Sequence, residues 1–108
     1  MTDPFLDYLE RWTTSLQRPE LMVQFTAGPT DRPKRAAWAE LTGPNVTGGF
    51  SVWESGEVEV EGFEVATGRR IMVKSTKVGS PAELDPLLER FAETCALRRE
   101  AAAKLESV

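Results

Sequence analysis

The feature that most constrains the fold is a turn signal, Glu54-Ser55-Gly56, which separates two runs rich in β-forming residues. Its glycine can adopt the left-handed conformation that closes a three-residue hairpin loop with a bulge. The register of such a hairpin pairs apolar residues across the strands: Val52 with Val58, and Phe50 with Val60. A two-residue loop would instead set Phe50 against a glutamate, so the apolar pattern selects the three-residue loop. The sequence therefore predicts a hairpin with one buried face.

The opposite face of this hairpin is acidic and carries one large aromatic side chain. Residues 54–64 contain five glutamates and no basic residue, and Trp53 precedes them. Glu57, Glu59 and Glu61 alternate along the strand, so they share one face, and the hairpin register adds Trp53 to it. Two interpretations stay open. The face is either solvated and partly neutralised by the next strand, or it binds a partner with Trp53 as its anchor.

The strand that follows is basic and should lie beside these glutamates. It carries no acid, and with Thr67-Gly68 as the connecting turn we expect Glu61 to lie opposite Lys74, before any shift that a bulge introduces. The apolar residues change from even positions before Gly62 to odd positions after it, which predicts a bulge or bend at this glycine. The basic residues of this part of the chain are Arg69, Arg70, Lys74 and Lys77.

Two further runs and two helical patterns complete the layout. Strands are predicted over residues 21–27, 34–42, 49–53, 58–65 and 70–78, with breaker-rich loops at 28–33 and 43–48. Asp3-Pro4 is typical of a helix start, and an apolar stripe predicts a helix over residues 4–17: Phe5, Leu9, Trp12 and Leu16. Ser80-Pro81-Ala82-Glu83 has the pattern of a capping box, and a second stripe follows it: Leu84, Leu87, Leu88, Phe91 and Cys95.

The order helix, strands, helix defines the fold class. Sequential hairpins favour an antiparallel sheet, and two singly amphipathic helices can cover one of its faces. We therefore predict an α+β, two-layer fold: an antiparallel sheet of about five strands with an N-terminal and a C-terminal helix packed on one face. Residues 1–108 are expected to form a single domain, with residues 99–108 as a frayed helical tail.

Composition excludes several function classes. The chain has 108 residues and a net charge of -4, with one cysteine and no histidine. An acidic chain is a poor nucleic-acid binder, and a single cysteine cannot form an internal disulfide. We expect no signal peptide, no membrane span and a cytoplasmic protein. We also expect neither metal nor cofactor, because a flat ladder of glutamates does not converge on one ion.

Three segments resemble the TriTu family of bacterial immunity proteins. They are residues 52–57, Val-Trp-Glu-Ser-Gly-Glu; residues 65–68, Val-Ala-Thr-Gly; and the capped helix from residue 80 through Leu88 and Phe91. The resemblance covers roughly residues 50–92. It implies a non-enzymatic inhibitor that binds one cognate toxin domain and blocks its active site. Many such toxins act on nucleic acids or nucleotides and have basic sites, which an acidic face with an aromatic anchor would fit.

The predicted partner-binding residues are Trp53, Glu54, Glu57, Glu59 and Glu61. An alternative function is a small secretion chaperone or adaptor that binds a partner segment and forms a homodimer through an exposed edge strand or the second helix. A small enzyme would need a titratable pair in a cleft, and the sequence shows none. Five strands also leave open a closed barrel that binds a small ligand.

Overall fold

The architecture consists of five consecutive strands between two helices. The structure is a computed structural model, and it describes residues 3–96; the tail predicted over residues 99–108 lies outside the described residues. The elements are α1 (Pro4–Ser15), β1 (Met22–Ala27), β2 (Ala36–Thr42), β3 (Val46–Trp53), β4 (Glu57–Glu64), β5 (Arg70–Lys77), a 3-10 turn (Pro81–Glu83) and α2 (Leu84–Cys95). The strands form one antiparallel sheet in the order β1-β2-β3-β4-β5.

The central hairpin has the register that the turn signal predicted. Val52 pairs with Val58, and Phe50 pairs with Val60. Gly56 has a φ of 95°, in the left-handed region, and its N–H donates to the carbonyl of Trp53 at 2.9 Å. The apolar residues of β2, β3 and β4 then occupy alternate positions on one face, which the helices cover.

One core joins the sheet to both helices. α1 packs on β1, β2 and β3, whereas α2 packs on β2, β3 and β4. The rings of Phe50 in the sheet and Phe91 in α2 meet at the centre, with centroids 5.6 Å apart. The other largest fully buried side chains are Leu9, Leu41, Val46, Val52, Val58, Leu84, Leu88 and Cys95. The predicted α+β, two-layer class with both helices on one face is confirmed.

The helix predictions need small corrections. Asp3 caps α1 as expected, accepting from the N–H groups of Phe5 and Leu6 at 3.0 and 3.1 Å. The helix ends at Ser15 rather than residue 17, and Trp12 packs at the edge of the core, only partly buried. At α2 the predicted capping box does not form: Ser80 makes no side-chain cap, and Glu83 accepts from the N–H of Gly79 at 2.6 Å and not from that of Ser80. A 3-10 turn therefore precedes α2.

The register between β4 and β5 differs from the prediction. Glu61 lies opposite Val73 and not opposite Lys74 for two reasons. The connecting turn spans four residues, 65–68, because the N–H of Glu64 donates to the carbonyl of Arg69, and Ile71 is an extra residue that shifts the pairing between Gly62 and Phe63. The predicted irregularity is thus present at Gly62, but it affects only the pairing with β5. The pairing of β4 with β3 continues without a break, and Phe63 remains on the same face as Glu61. Lys74 pairs with Val60 and points to the helix side of the sheet.

The start of β3 explains the glycines that precede the hairpin. The strand begins at Val46, inside the segment predicted as a loop over residues 43–48. A Cβ at Gly43 would lie 1.9 Å from the carbonyl oxygen of Cys95, and one at Gly48 would lie 2.8 Å from Cε1 of Phe91. These glycines therefore let the end of α2 approach the sheet closely. Among the described residues, neither helix has the length and apolar character needed to cross a membrane.

Candidate functional site

The sheet face opposite the two helices is not covered by any other element within residues 3–96, and we call it the open face. Strand alternation brings its side chains into cross-strand rows. Trp38, Ser51 and Glu59 form one row, and Glu40, Gly49 and Glu61 form the next. The central residues of the open face are Trp38, Glu40, Thr47, Gly49, Ser51, Trp53, Glu57, Glu59, Glu61, Phe63 and Arg70.

Four of the five predicted site residues lie on this face. Trp53 ends β3, Glu57 begins β4, and Glu59 and Glu61 follow on the same side of that strand. The fifth residue, Glu54, belongs to the hairpin loop. Its Oε1 accepts from the backbone N–H of Arg35 at 3.1 Å, so its carboxylate holds the chain that enters β2. The structure thus groups Trp53 with three glutamates and gives Glu54 a structural contact.

Glu57 is the acid whose charge the chain itself neutralises. Lys34 donates to its Oε1 at 2.8 Å, and the Ser55 hydroxyl donates to its other oxygen. These two hydrogen bonds, that of Lys34 first, stabilise the carboxylate and lower the pKa of Glu57 from 4.5 to about 2. The ion pair is exposed to solvent, which weakens it. Glu57 therefore stays ionised well into the acidic range and anchors the loop before β2.

A depression lies at the centre of the open face because Gly49 has no side chain. A Cβ built at Gly49 would have no heavy atom within 4 Å. Glu40 and Glu61 flank this position on the neighbouring strands, which puts their Cα atoms about 10 Å apart. The depression has a volume of about 390 Å³, and Phe63 and Glu59 also line it. It is a shallow basin with acidic sides and one aromatic wall.

The glutamates around this basin differ in how far the protein neutralises them. Glu61 forms an ion pair with Arg70 at 3.6 Å, from the end of β5. Within residues 3–96, Glu40 and Glu59 have no ion pair or side-chain hydrogen bond, and both are exposed. Two carboxylates at the basin therefore keep their full capacity to accept hydrogen bonds from another molecule.

A second concavity lies beside the basin and is aromatic. Trp38 and Trp53 lie on neighbouring strands of the open face, and both are half-buried. The loop between β1 and β2 forms one side of this cleft, which has a volume of about 490 Å³ and includes Pro29 and Pro33. The Trp38 ring packs against Gly28 in the same loop. The cleft and the basin together bring aromatic rings and carboxylates to the open face, and two basic residues of the loop also line the cleft, Arg32 and Lys34.

Sequence reasoning missed Trp38, Glu40 and Phe63 as members of this surface. For Trp38 and Glu40 the signal was present, because Ala37, Ala39 and Leu41 alternate and leave the other positions to the opposite face. The three alanines in this run, at positions 36, 37 and 39, are poor strand formers and obscure that alternation. The change of the apolar residues from even to odd positions at Gly62 pointed to the buried face for Phe63. The pairing of β3 with β4 shows no such shift, so Phe63 lies on the open face.

The remaining titratable candidates carry little chemistry. Burial raises the pKa of the Cys95 thiol to about 12, so it stays protonated against the core. The Tyr8 hydroxyl donates to Asp85, and this hydrogen bond raises the pKa of Tyr8 while joining α1 to α2. Among residues 3–96 no three acidic or cysteine side chains converge on a point where a metal ion could sit. What the open face can do is bind.

The fold and the open face define a small α+β protein with one covered and one uncovered sheet face. A family model described as "Immunity protein TriTu" matches residues 3–94, which is most of the chain and nearly all of the described part. The protein therefore belongs to the TriTu family of immunity proteins, as the three sequence segments suggested. A search of the curated proteins found no match.

Proposed function

We propose that this protein binds a cognate toxin domain through the open face and blocks the toxin's active site. The family assignment supports an immunity role. The observation that supports this face is the pair of glutamates, Glu40 and Glu59, that have no internal partner within residues 3–96 and flank a basin beside two tryptophans. Charge complementarity with a basic site would speed association and fix the orientation of the two proteins.

In this proposal the two concavities have different tasks. A lysine or arginine side chain of the toxin enters the basin over Gly49, where Glu40 and Glu59 accept its hydrogen bonds. Phe63 offers a ring edge or face to the stem of that side chain. Trp53 and Trp38 supply large, partly desolvated apolar area at one side, which is the usual composition of a binding hot spot.

The partner is first identified with the tagged full chain in its native lysate, at low and at moderate salt. The proposal requires a toxin-type enzyme that is retained at both salts and loses its activity when one equivalent of this protein is added. A secreted effector with no toxic activity would support the chaperone alternative and contradict the proposal. Recovery of no partner in either salt would also contradict it.

Gly49→Val tests the basin directly, because the position has room for a side chain and β-branched residues suit a strand. The variant should fold with unchanged stability and lose at least about 30-fold in affinity, which corresponds to about 2 kcal/mol. Isothermal titration with the purified toxin domain measures this loss. A folded Gly49→Val variant that binds as tightly as the natural chain would exclude the basin from the interface.

The tryptophan and the glutamates are tested by separate variants. Trp53→Ala should lower toxin affinity by a similar factor while the circular dichroism spectrum stays native. The double variant Glu40→Gln with Glu59→Gln should lower the association rate and flatten its dependence on salt. A matched control, Glu10→Gln with Glu93→Gln, makes the same charge change on exposed positions of α1 and α2. Equal effects of the two double variants would show that net charge, and not the open face, governs binding.

A further inference from the structure

β5 is the one strand that the helix layer leaves largely uncovered on its inner side. α1 packs on β1 to β3, and α2 packs on β2 to β4. A groove of about 430 Å³ consequently remains between β5 and α2. Its walls are apolar: Val60, Ile71, Met72, Leu87 and Phe91. The groove lies on the opposite side of the sheet from the open face, so it belongs to a different surface.

Two unpaired cations line this groove. Lys74 extends from β5 on the helix side, because its partner Val60 is buried there, and Arg90 extends from α2. Both are exposed, and within the part of the chain that the structure describes neither forms an ion pair. An apolar groove with two free cations selects an occupant that carries both apolar side chains and carboxylates.

The outer edge of β5 adds a backbone contact. Within residues 3–96, β5 is the last strand of the sheet, so one row of its N–H and C=O groups has no neighbouring strand there. An extended segment can pair with such an edge and place alternate side chains on each face of the sheet. Every second side chain of that segment would then point into the groove.

The charges of β5 argue against a second copy of this chain as the occupant. Arg70, Lys74 and Lys77 make the strand basic, and it has no acidic residue. Two copies paired edge to edge through β5 would therefore bring cations against cations. The other edge strand, β1, has no charged residue, so the basic character is particular to β5.

We propose that the edge of β5 and the groove beside it bind an extended acidic segment of a partner protein as a sixth strand. Apolar side chains of the segment fill the groove over Met72 and Leu87, and a carboxylate pairs with Lys74 and Arg90. This surface is separate from the open face, so it goes beyond the toxin-blocking proposal and stands or falls without it. It gives the protein a second partner, or a second contact with the same one.

The test uses the full chain, labelled with ¹⁵N, and a synthetic eight-residue peptide with capped termini. The peptide alternates threonine with valine or glutamate, so that two valines and two glutamates share one face. Amide shifts should be confined to β5 and to the part of α2 around Leu87 and Arg90. A second peptide with lysine in place of glutamate should bind at least about 10-fold more weakly, a difference of about 1.4 kcal/mol.

Charge-reversal variants locate the contact. Lys74→Glu with Arg90→Glu should weaken binding of the acidic peptide at least about 10-fold. The control variant, Arg11→Glu with Arg32→Glu, makes the same change in net charge at exposed positions outside the groove, and it should bind the acidic peptide as tightly as the natural chain does. Gly49→Val should also bind normally, which separates this result from the test of the open face.

Three results would overturn the proposal. They are the absence of shifts at about 5 mM peptide; shifts on the open face in place of β5; and equal binding of the acidic and basic peptides. A dimer in solution whose β5 amides are protected from exchange would overturn it as well, because the edge would then already be occupied by a second copy.

Discussion

At the scale of one residue, Glu57 shows how the chain uses a charge of the open face to hold its own structure. Its carboxylate receives Lys34 and Ser55, and its pKa falls from 4.5 to about 2. A pKa that is lower in the folded state stabilises the fold above the unfolded value, and this contribution disappears as the pH falls from about 4.5 towards 2.

Replacing Glu57 with Gln should therefore remove part of the dependence of stability on pH, rather than lower stability equally at every pH. We expect the natural chain to lose more stability than Glu57→Gln between pH 5 and pH 2, and the two curves to converge at the acidic end. Thermal melts across that range measure the difference. Glu20→Gln, at an exposed position before β1, is the control, and a control curve that matches Glu57→Gln would contradict the assignment.

Cys95 illustrates the opposite case, a titratable group that packing makes inert. Its side chain is fully buried, and burial raises the pKa of its thiol to about 12. We expect no alkylation by iodoacetamide at pH 8 while the protein is folded, and rapid alkylation in urea, because the thiolate is the reactive form. Mass spectrometry over time follows the reaction. Fast labelling of the folded protein would mean that α2 detaches from the sheet readily.

The turns make the clearest predictions at the scale of elements. Gly56 and Gly68 both have positive φ, of 95° and 71°. A Cβ at Gly56 would also lie 2.4 Å from the carbonyl oxygen of Val78, whereas one at Gly68 would have no heavy atom within 4 Å. Gly68→Ala therefore measures backbone strain alone, and Gly56→Ala adds a steric clash to it.

We expect alanine at Gly56, Gly68 and Gly49 to change the free energy of unfolding according to the backbone strain and the steric clash at each position. Gly56→Ala should lower the free energy of unfolding by about 2–4 kcal/mol, and Gly68→Ala by about 1 kcal/mol. Gly49→Ala should be neutral or stabilise by about 0.5 kcal/mol, because it lies in a strand with open space around it. Urea unfolding gives all three values. A Gly56→Ala variant as stable as Gly68→Ala would show that the chain after β5 moves away without cost.

At the scale of the whole molecule, one contact joins the two layers at their centre. Phe91 is fully buried and its ring meets that of Phe50, and α2 has no other aromatic residue. Phe91→Ala should lower the free energy of unfolding by about 3–5 kcal/mol. This loss is large because the free energy of unfolding of a whole domain is only about 5–15 kcal/mol. Leu87→Ala, at the half-buried rim, should cost markedly less.

The form of the unfolding curve tests whether the layers depend on each other. A single urea transition with a lowered midpoint and an unchanged slope is expected for Phe91→Ala, since sheet and helices share one core. Fluorescence of the three tryptophans and far-ultraviolet circular dichroism should report the same midpoint. Two separated transitions would mean that the sheet keeps its structure without α2.

How far the fold and the site were predictable depends on the range of the interactions involved. The helix cap at Asp3, the loop at Gly56 and the pairing of Phe50 with Val60 are local, so neighbouring residues specify them. The acidic face with Trp53 followed from the same short-range alternation. The capping box failed because Glu83 has a second available donor, the N–H of Gly79, which the motif does not encode.

The sequence alone determined the class of the fold, the central register and one acidic, aromatic strand face, because a side-chain period of two and a glycine turn leave few alternatives. Only the tertiary structure decided how strands distant in sequence combine. It placed Glu40 and Trp38 of β2 beside Gly49 and Glu59, and the bulge beside Gly62 turned Lys74 to the helix side. Such placements depend on the register between neighbouring strands. A single extra residue changes that register, and a linear pattern does not reveal which strand contains it.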